Sequence, residues 1–137
     1  MTLIMNTSAP SRRWLRSTGA VLAGFVTVFA LSSAVDAVLH AVNYYPNDGT
    51  PGSDLQLAVA LAYRTAITVL GGWVAARLAP ANAMRHAVIL GILGTLAGVV
   101  GVVAAWSIGH HWYAISLAAL ALPSTALGGW LFTRASR

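Results

Sequence analysis

The chain reads as an all-α polytopic membrane protein with four transmembrane helices arranged as two tandem helical hairpins of the same orientation. Three observations predict this. The 137 residues are 58% hydrophobic and 8% charged, with a mean hydropathy of +0.73, more apolar than a soluble domain of this size can be. Four apolar runs are each long enough to cross a hydrocarbon core of about 30 Å. The element Gly-Gly-Trp-x-x-x-Arg occurs twice, at 71–77 and 128–134, each time near the end of an apolar run.

Charge placement orients these runs. All eight basic residues are arginine and all three acidic residues are aspartate, giving a net charge of +5. A basic balance can signal nucleic-acid binding, but Arg12, Arg13, Arg16, Arg77, Arg85, Arg134 and Arg137 flank apolar segments on one face, whereas Asp48 and Asp54 lie in a loop on the other. This asymmetry is the positive-inside pattern. It predicts a multi-pass protein of a bacterial-type cytoplasmic (inner) membrane with both termini cytoplasmic and no nucleic-acid partner. Without cysteine there is no disulfide, thiolate metal site or thiol redox chemistry.

Residues 1–16 are expected to be a cytoplasmic N-terminal tail, with 17–137 forming the four-helix domain. Residues 1–11 are polar and aperiodic and are expected to be disordered. A second reading competes for this end. Ser11-Arg12-Arg13-Trp14-Leu15 resembles part of a twin-arginine export signal, with Ser32-Ser33-Ala34 as a cleavage site that would remove residues 1–34. The apolar run continues past Ala34 to Val42, which favours an uncleaved span, helix 1, at about 17–41.

Asn43 to Gly52 carries two tyrosines followed by Asp-Gly and Pro-Gly turn signals, and reads as an external loop. Ser53 and Gln56 have the spacing of a capping box and start helix 2, about 54–78, which ends before Pro80. A short cytoplasmic turn follows, with Asn82 as the expected side-chain cap of helix 3 at about 83–106. Residues 107–111 form a second external turn. Helix 4, about 112–132, contains Pro123, which leaves the carbonyl of Ala119 without its usual donor and should kink the helix.

The repeat extends weakly beyond its two best-matched elements. Ala20-Val21-Leu22-Ala23-Gly24 matches Ala87-Val88-Ile89-Leu90-Gly91 at an offset of 67, against 57 for the Gly-Gly-Trp-x-x-x-Arg pair, and the longer first loop accounts for the difference. With two spans per unit the repeats share one orientation. Coincidence in an Ala/Gly/Val-rich chain is the alternative reading. Helix association in lipid relies on close backbone approach, and Gly71, Gly72, Gly91, Gly94, Gly98 and Gly101 are the expected packing positions. Helix 3 offers more glycine surface than one neighbour can use, which predicts a homodimer or a heteromeric membrane complex.

The residues that could carry chemistry are few. Arg64 lies within helix 2, where a lone arginine facing lipid would cost from about 2.5 to more than 10 kcal/mol, so it requires a partner. Asp36 is the only acidic residue inside another apolar run. Both lie roughly 8 to 14 Å in from the external end at the helical rise, so they can meet. Ser32, Asp36 and His40 follow at spacings of four and form a polar ridge. Asp36, His40 and Arg64 are therefore the candidate intramembrane polar site, with Ser32, Thr68, His110 and His111 as secondary candidates. The same Asp36–Arg64 pair could serve only to fix helix packing.

The external histidines and aspartates could supply nitrogen and oxygen ligands to a metal, but their spacing fits no ligand motif, and no metal or cofactor is expected. Haem ligation would need two facing histidines within the bundle, and His86 lies at the opposite end from His40 and His110. Trp14, Trp73 and Trp130 on one side, with Tyr44, Tyr45, Trp106, Trp112 and Tyr113 on the other, read as interfacial belts. No nucleophile triad, phosphate loop or paired-carboxylate motif is present, so nothing supports catalysis.

In size and hydropathy the chain resembles the small multidrug resistance transporters, four-helix proteins that work as dimers. That family carries its essential glutamate in the middle of helix 1. This chain has no glutamate, and Asp36 sits toward the outer end, so the resemblance is one of shape and carries no site residue over. Two functions follow as expectations: a small proton-linked transporter or permease-like protein with an outward-facing polar site, or a non-catalytic subunit or scaffold docking through its glycine stripes.

Overall fold

The computed structural model describes residues 2–136, with side chains for 12–136. It contains four α-helices: α1 (Thr2–Ala41), α2 (Asp54–Leu78), α3 (Ala83–Ala104) and α4 (His111–Ala135), with a 3-10 turn at Trp106–Ile108. All four are long and apolar enough to cross a membrane, α1 through its stretch Arg12–Ala41. The set of large apolar side chains left uncovered, including Phe29 at 68%, Val100 at 67% and Val103 at 73% exposure, is what a lipid-facing surface requires and what water would not tolerate.

Helix 1 is longer than expected. It is helical from Thr2 rather than from Ser17, and Arg12, Arg13, Leu15 and Arg16, good helix formers, continue it directly from the apolar span. The expected disorder of 1–11 falls on residues whose side chains are not described. At the other end, α1 closes in a Schellman motif. Asn43 adopts the left-handed conformation (φ 60), its N–H donates to the carbonyl of His40, and the N–H of Tyr44 donates to that of Leu39. Asparagine tolerates this conformation better than other non-glycine residues.

The start of α2 carries the expected capping box: the Ser53 hydroxyl accepts from Gln56 N, and Gln56 Oε1 accepts from Ser53 N at 2.8 Å. Asn82 occupies the N-cap position of α3 but does not cap it with its side chain. At φ 51, ψ 60 the residue is left-handed, and the N–H groups of Arg85 and His86 are taken instead by its backbone carbonyl. Helix 3 stops at Ala104, two residues before the expected end, where the 3-10 turn begins. Helix 4 runs from His111 through Pro123 to Ala135, three residues past the expected end.

Contacts fix the directions. Gly24 and Val28 of α1 face Gly71 of α2, and Asp36 faces Arg64, so α1 and α2 are antiparallel. Gly98, Gly94 and Gly91 of α3 meet Ala118, Ala121 and Thr125 of α4 in turn, so α3 and α4 are also antiparallel. Helices α2 and α4 run parallel through the middle, from Asp54 beside Trp112 to Trp73 beside Phe132. They touch backbone to backbone. A methyl group built at Gly72 would sit 2.6 Å from Cα of Thr125, and one at Gly128 would sit 2.6 Å from the Trp73 nitrogen, so only glycine permits this approach.

The two Gly-Gly-Trp-x-x-x-Arg elements thus pack on each other, and each adopts the same local arrangement. Arg77 lies over Trp73 at 5.2 Å, and Arg134 lies over Trp130 at 5.1 Å. The arginine at i+4 returns over the tryptophan face one turn earlier, a cation–π pair built by helical spacing alone.

Candidate functional site

The polar site lies at the α1–α2 loop end of the bundle and begins with two helix positions. Asp36, on the face of α1 that also carries Val28 against Gly71, projects onto α2. There Arg64 Nη2 bonds Asp36 Oδ2, and the Tyr63 hydroxyl donates to Asp36 Oδ1. Both carboxylate oxygens are therefore engaged. The pair is not sealed, since the Arg64 and Asp36 side chains keep 32% and 28% of their exposure. Arg64 Nε is buried without a hydrogen-bond partner, so the guanidinium is incompletely satisfied by the chain itself.

The Schellman end of α1 brings the loop back over this pair. Tyr45, only 8% exposed, directs its hydroxyl to the carbonyl of Gln56 at 3.1 Å and lies 3.3 Å from the Tyr63 hydroxyl. Gln56 Nε2 donates to the Tyr44 carbonyl, so the residue that closes the capping box also ties down the loop. Further along, Thr50 donates from both N and Oγ1 to Asp48 Oδ1, an Asx-type turn, and the Thr50 hydroxyl holds the Asp48 carboxyl below the usual carboxylate range. Asp36, Tyr45, Tyr63, Arg64 and, from α4, Tyr113 line a cavity of about 180 Å³ whose rim includes His40, Pro46 and Thr50.

A second cavity, about 340 Å³ and mostly apolar, adjoins it. The two share Gly52, Leu57 and Tyr113 as lining, and the second continues between α3 and α4 past Gly98, Gly101 and Leu117. Gly101 has no neighbour within 4 Å of a built methyl group, so of the expected packing glycines it is the one that lines open space. The others face inward: Gly91, Gly94 and Gly98 onto α4, Gly71 onto α1, and Gly72 onto α4.

The remaining candidates separate from the pair. His40 lines the same cavity as Asp36 and Arg64, but its Nδ1 meets the backbone carbonyl of Asp36 at 2.8 Å rather than the carboxylate. A side chain one turn away on the same helix reaches the i−4 carbonyl more readily than a carboxylate turned toward another helix. Ser32 is buried on α1. Thr68 turns back to the Arg64 carbonyl at 2.7 Å. His110 Nδ1 and Trp112 Nε1 both meet Asp54 Oδ1, at 3.1 and 3.0 Å, and so tie the second turn to the start of α2. His111 stacks on Trp106 at 3.7 Å. Among the described residues no three His, Asp or Glu side chains converge as a metal set would.

Three tyrosines belong to the site that the sequence placed elsewhere or passed over. By sequence pattern Tyr45 and Tyr113 read as part of an interfacial belt. The helix-ending turn buries the first, and the inward face of α4 carries the second to the cavity. Tyr63 precedes Arg64 directly, and a phenol adjacent to an intramembrane arginine was a readable signal.

No family model, curated protein or solved structure matches the chain, so the likeness to small multidrug resistance transporters remains one of size and hydropathy.

Proposed function

We propose that this chain is a small multi-pass protein of a bacterial-type inner membrane that works as a proton-linked transporter or permease-like protein. Its polar site, formed by Asp36, Tyr63 and Arg64, would face the outside. The observation that carries the reading is an acid–base pair at the floor of a cavity within an otherwise apolar bundle. Ionisable groups in a membrane span are costly to keep and mark ion or substrate pathways. The Tyr63 hydroxyl donates to the carboxylate and the Tyr45 hydroxyl lies 3.3 Å beyond it, so a proton could pass along the pair, without His40, when the Tyr45 hydroxyl turns from the Gln56 carbonyl to Tyr63. The adjoining apolar cavity suits a substrate with an apolar body and a polar end.

In this reading both termini are cytoplasmic and the two halves are tandem hairpins from a duplication. The matched Trp–Arg stacks in α2 and α4 support the duplication, because tryptophan and arginine recur by chance less often than the small residues around them. Assembly as a homodimer or in a heteromeric complex is part of the proposal. Surfaces available for it include the outer face of α1, with Phe25, Val26 and Phe29 uncovered, and the outer face of α3, with Leu96, Val100 and Val103 uncovered, rather than the glycine ridge of α3, which α4 occupies. That occupied ridge also weakens the alternative of a non-catalytic subunit or scaffold docking through its glycines.

The test is reconstitution in sealed liposomes with an imposed pH gradient and an internal pH dye, against a panel of organic cations, anions and amphiphiles. A solute should collapse the gradient in wild-type liposomes and fail to do so with Asp36→Asn. Leak equal to that of empty liposomes across the panel, or activity undiminished in Asp36→Asn, refutes the proposal.

A further inference from the structure

Another cavity lies at the opposite end of the bundle. It measures about 640 Å³ and opens between the first turns of the α1 span and the α2–α3 turn with the start of α3. Its polar rim is formed by Arg13, Ser17 and Thr18 from α1 and by Asn82 and Arg85 from the turn and α3, with Trp14 beside them. Below the rim the wall becomes apolar: Val21 and Leu22 on one side, Ile89 and Leu93 on the other. Val21, the deepest of the α1 residues together with Leu22, belongs to the small buried core it forms with Ala75 and Leu90.

Two arginines from different helices line this crevice, and no carboxylate side chain of the chain is available to them. Asp36 is engaged by Arg64 and Tyr63, Asp48 by Thr50, and Asp54 by His110 and Trp112, all at the other end. Charge complementarity therefore calls for an anion from outside the chain. The vertical order of the lining, guanidinium above and branched aliphatic side chains beneath, is the order of a phospholipid from headgroup to acyl chain.

We propose that this crevice binds an anionic phospholipid, its phosphate held by Arg13 and Arg85 and one acyl chain lying between Leu22 on α1 and Ile89 and Leu93 on α3. A basic pocket between helices at the membrane surface is a recognised kind of lipid site, and arginine's planar fork suits phosphate oxygens. The cavity is within the size range that holds a small ligand and could accommodate a headgroup with the first part of a chain.

The test is native mass spectrometry of the detergent-purified protein with equal amounts of phosphatidylglycerol and phosphatidylcholine. The wild type should retain phosphatidylglycerol in preference by roughly thirtyfold, given two arginines near the surface. Arg13→Gln/Arg85→Gln should lose that preference, whereas Arg77→Gln/Arg134→Gln, at the same end but stacked on tryptophan, should keep it. Ser17→Trp, which fills the crevice and leaves both arginines in place, should lose it as well, and this covers the case in which the double variant does not fold. Equal retention of the two lipids by the wild type, an unchanged preference in Ser17→Trp, or a loss shared by the Arg77/Arg134 control overturns the proposal. Displacement of the lipid by free glycerol phosphate at matching concentration also overturns it, since the site would then select a soluble phosphate.

Discussion

The hydroxyl of Tyr63 donates to Oδ1 of Asp36, on the same carboxylate whose Oδ2 meets Arg64, so one acid on α1 is held by two adjacent residues of α2. Consecutive residues of a helix diverge by about 100°, and both reach the acid only because their side chains are long. The relationship predicts unequal consequences for removing each donor. Tyr63→Phe should cost about 1.5 to 3 kcal/mol, the range for a hydrogen bond to a charged group, whereas Tyr45→Phe, which loses bonds to neutral groups, should cost about 0.5 to 1.5 kcal/mol. Thermal unfolding in a fixed detergent would rank them, and equal losses would remove the charged hydrogen bond from the account.

The ion pair itself predicts non-additivity. Removing one partner of a buried pair strands the other charge and costs on the order of 3 to 5 kcal/mol. Asp36 and Arg64 retain 28% and 32% exposure, so Asp36→Asn and Arg64→Gln should each fall below that range, at about 2 to 3 kcal/mol. The double variant should recover much of the loss, because no charge is left alone. A double variant whose loss equals the sum of the singles would show that the pair does not couple.

Much of this arrangement was legible in the sequence, for identifiable reasons. Hydropathy located four helices long and apolar enough to span a membrane because each apolar run is near-continuous, and Asp36 and Arg64 could be matched by position because only one carboxylate was available inside the apolar runs. Two things were not legible. The left-handed turn at Asn43 decides where the loop goes, and with it whether Tyr45 lies at a membrane surface or inside the cavity. The packing order of the helices was equally hidden. Glycine spacing showed that α3 had a flat face, but whether α4 or another chain would cover it depends on which helices are neighbours, and periodicity holds no such information.

The glycines offer a graded prediction. Gly128→Ala should be severe, about 2 to 4 kcal/mol, because its methyl group would press on the Val69 carbonyl and the Trp73 nitrogen, backbone atoms that can move only if α2 and α4 separate. Gly98→Ala, with its methyl group 2.8 Å from Cα of Ala118, should come next. Gly94→Ala meets only the Ala121 methyl at 3.3 Å and should be mild. Gly101→Ala enters open space in a helix and should be neutral or stabilising by up to about 1 kcal/mol. Melting temperatures in one detergent would give the order, and a Gly101 variant less stable than the Gly128 variant would contradict the helix arrangement.

The orientation of the chain is the last prediction, and the outward-facing site depends on it. Arginines flank the apolar runs at one end, while Asp48 and Asp54 sit at the other, next to the cavity that holds Asp36 and Arg64. Positive flanks are retained on the cytoplasmic side during insertion, so loops 43–53 and 107–111 should be external and the 79–85 turn internal. The chain contains no cysteine, so single replacements give an unambiguous label. Asp48 is exposed and its removal affects only the Thr50 turn, and Asn82 caps α3 through its backbone rather than its side chain, so the fold should tolerate cysteine at 48, and at 82 with only the left-handed preference lost. In intact cells a membrane-impermeant maleimide should label Asp48→Cys and spare Asn82→Cys until the membrane is opened. Labelling at 82 in intact cells would invert the protein, and the Asp36–Arg64 cavity would then face the cytoplasm.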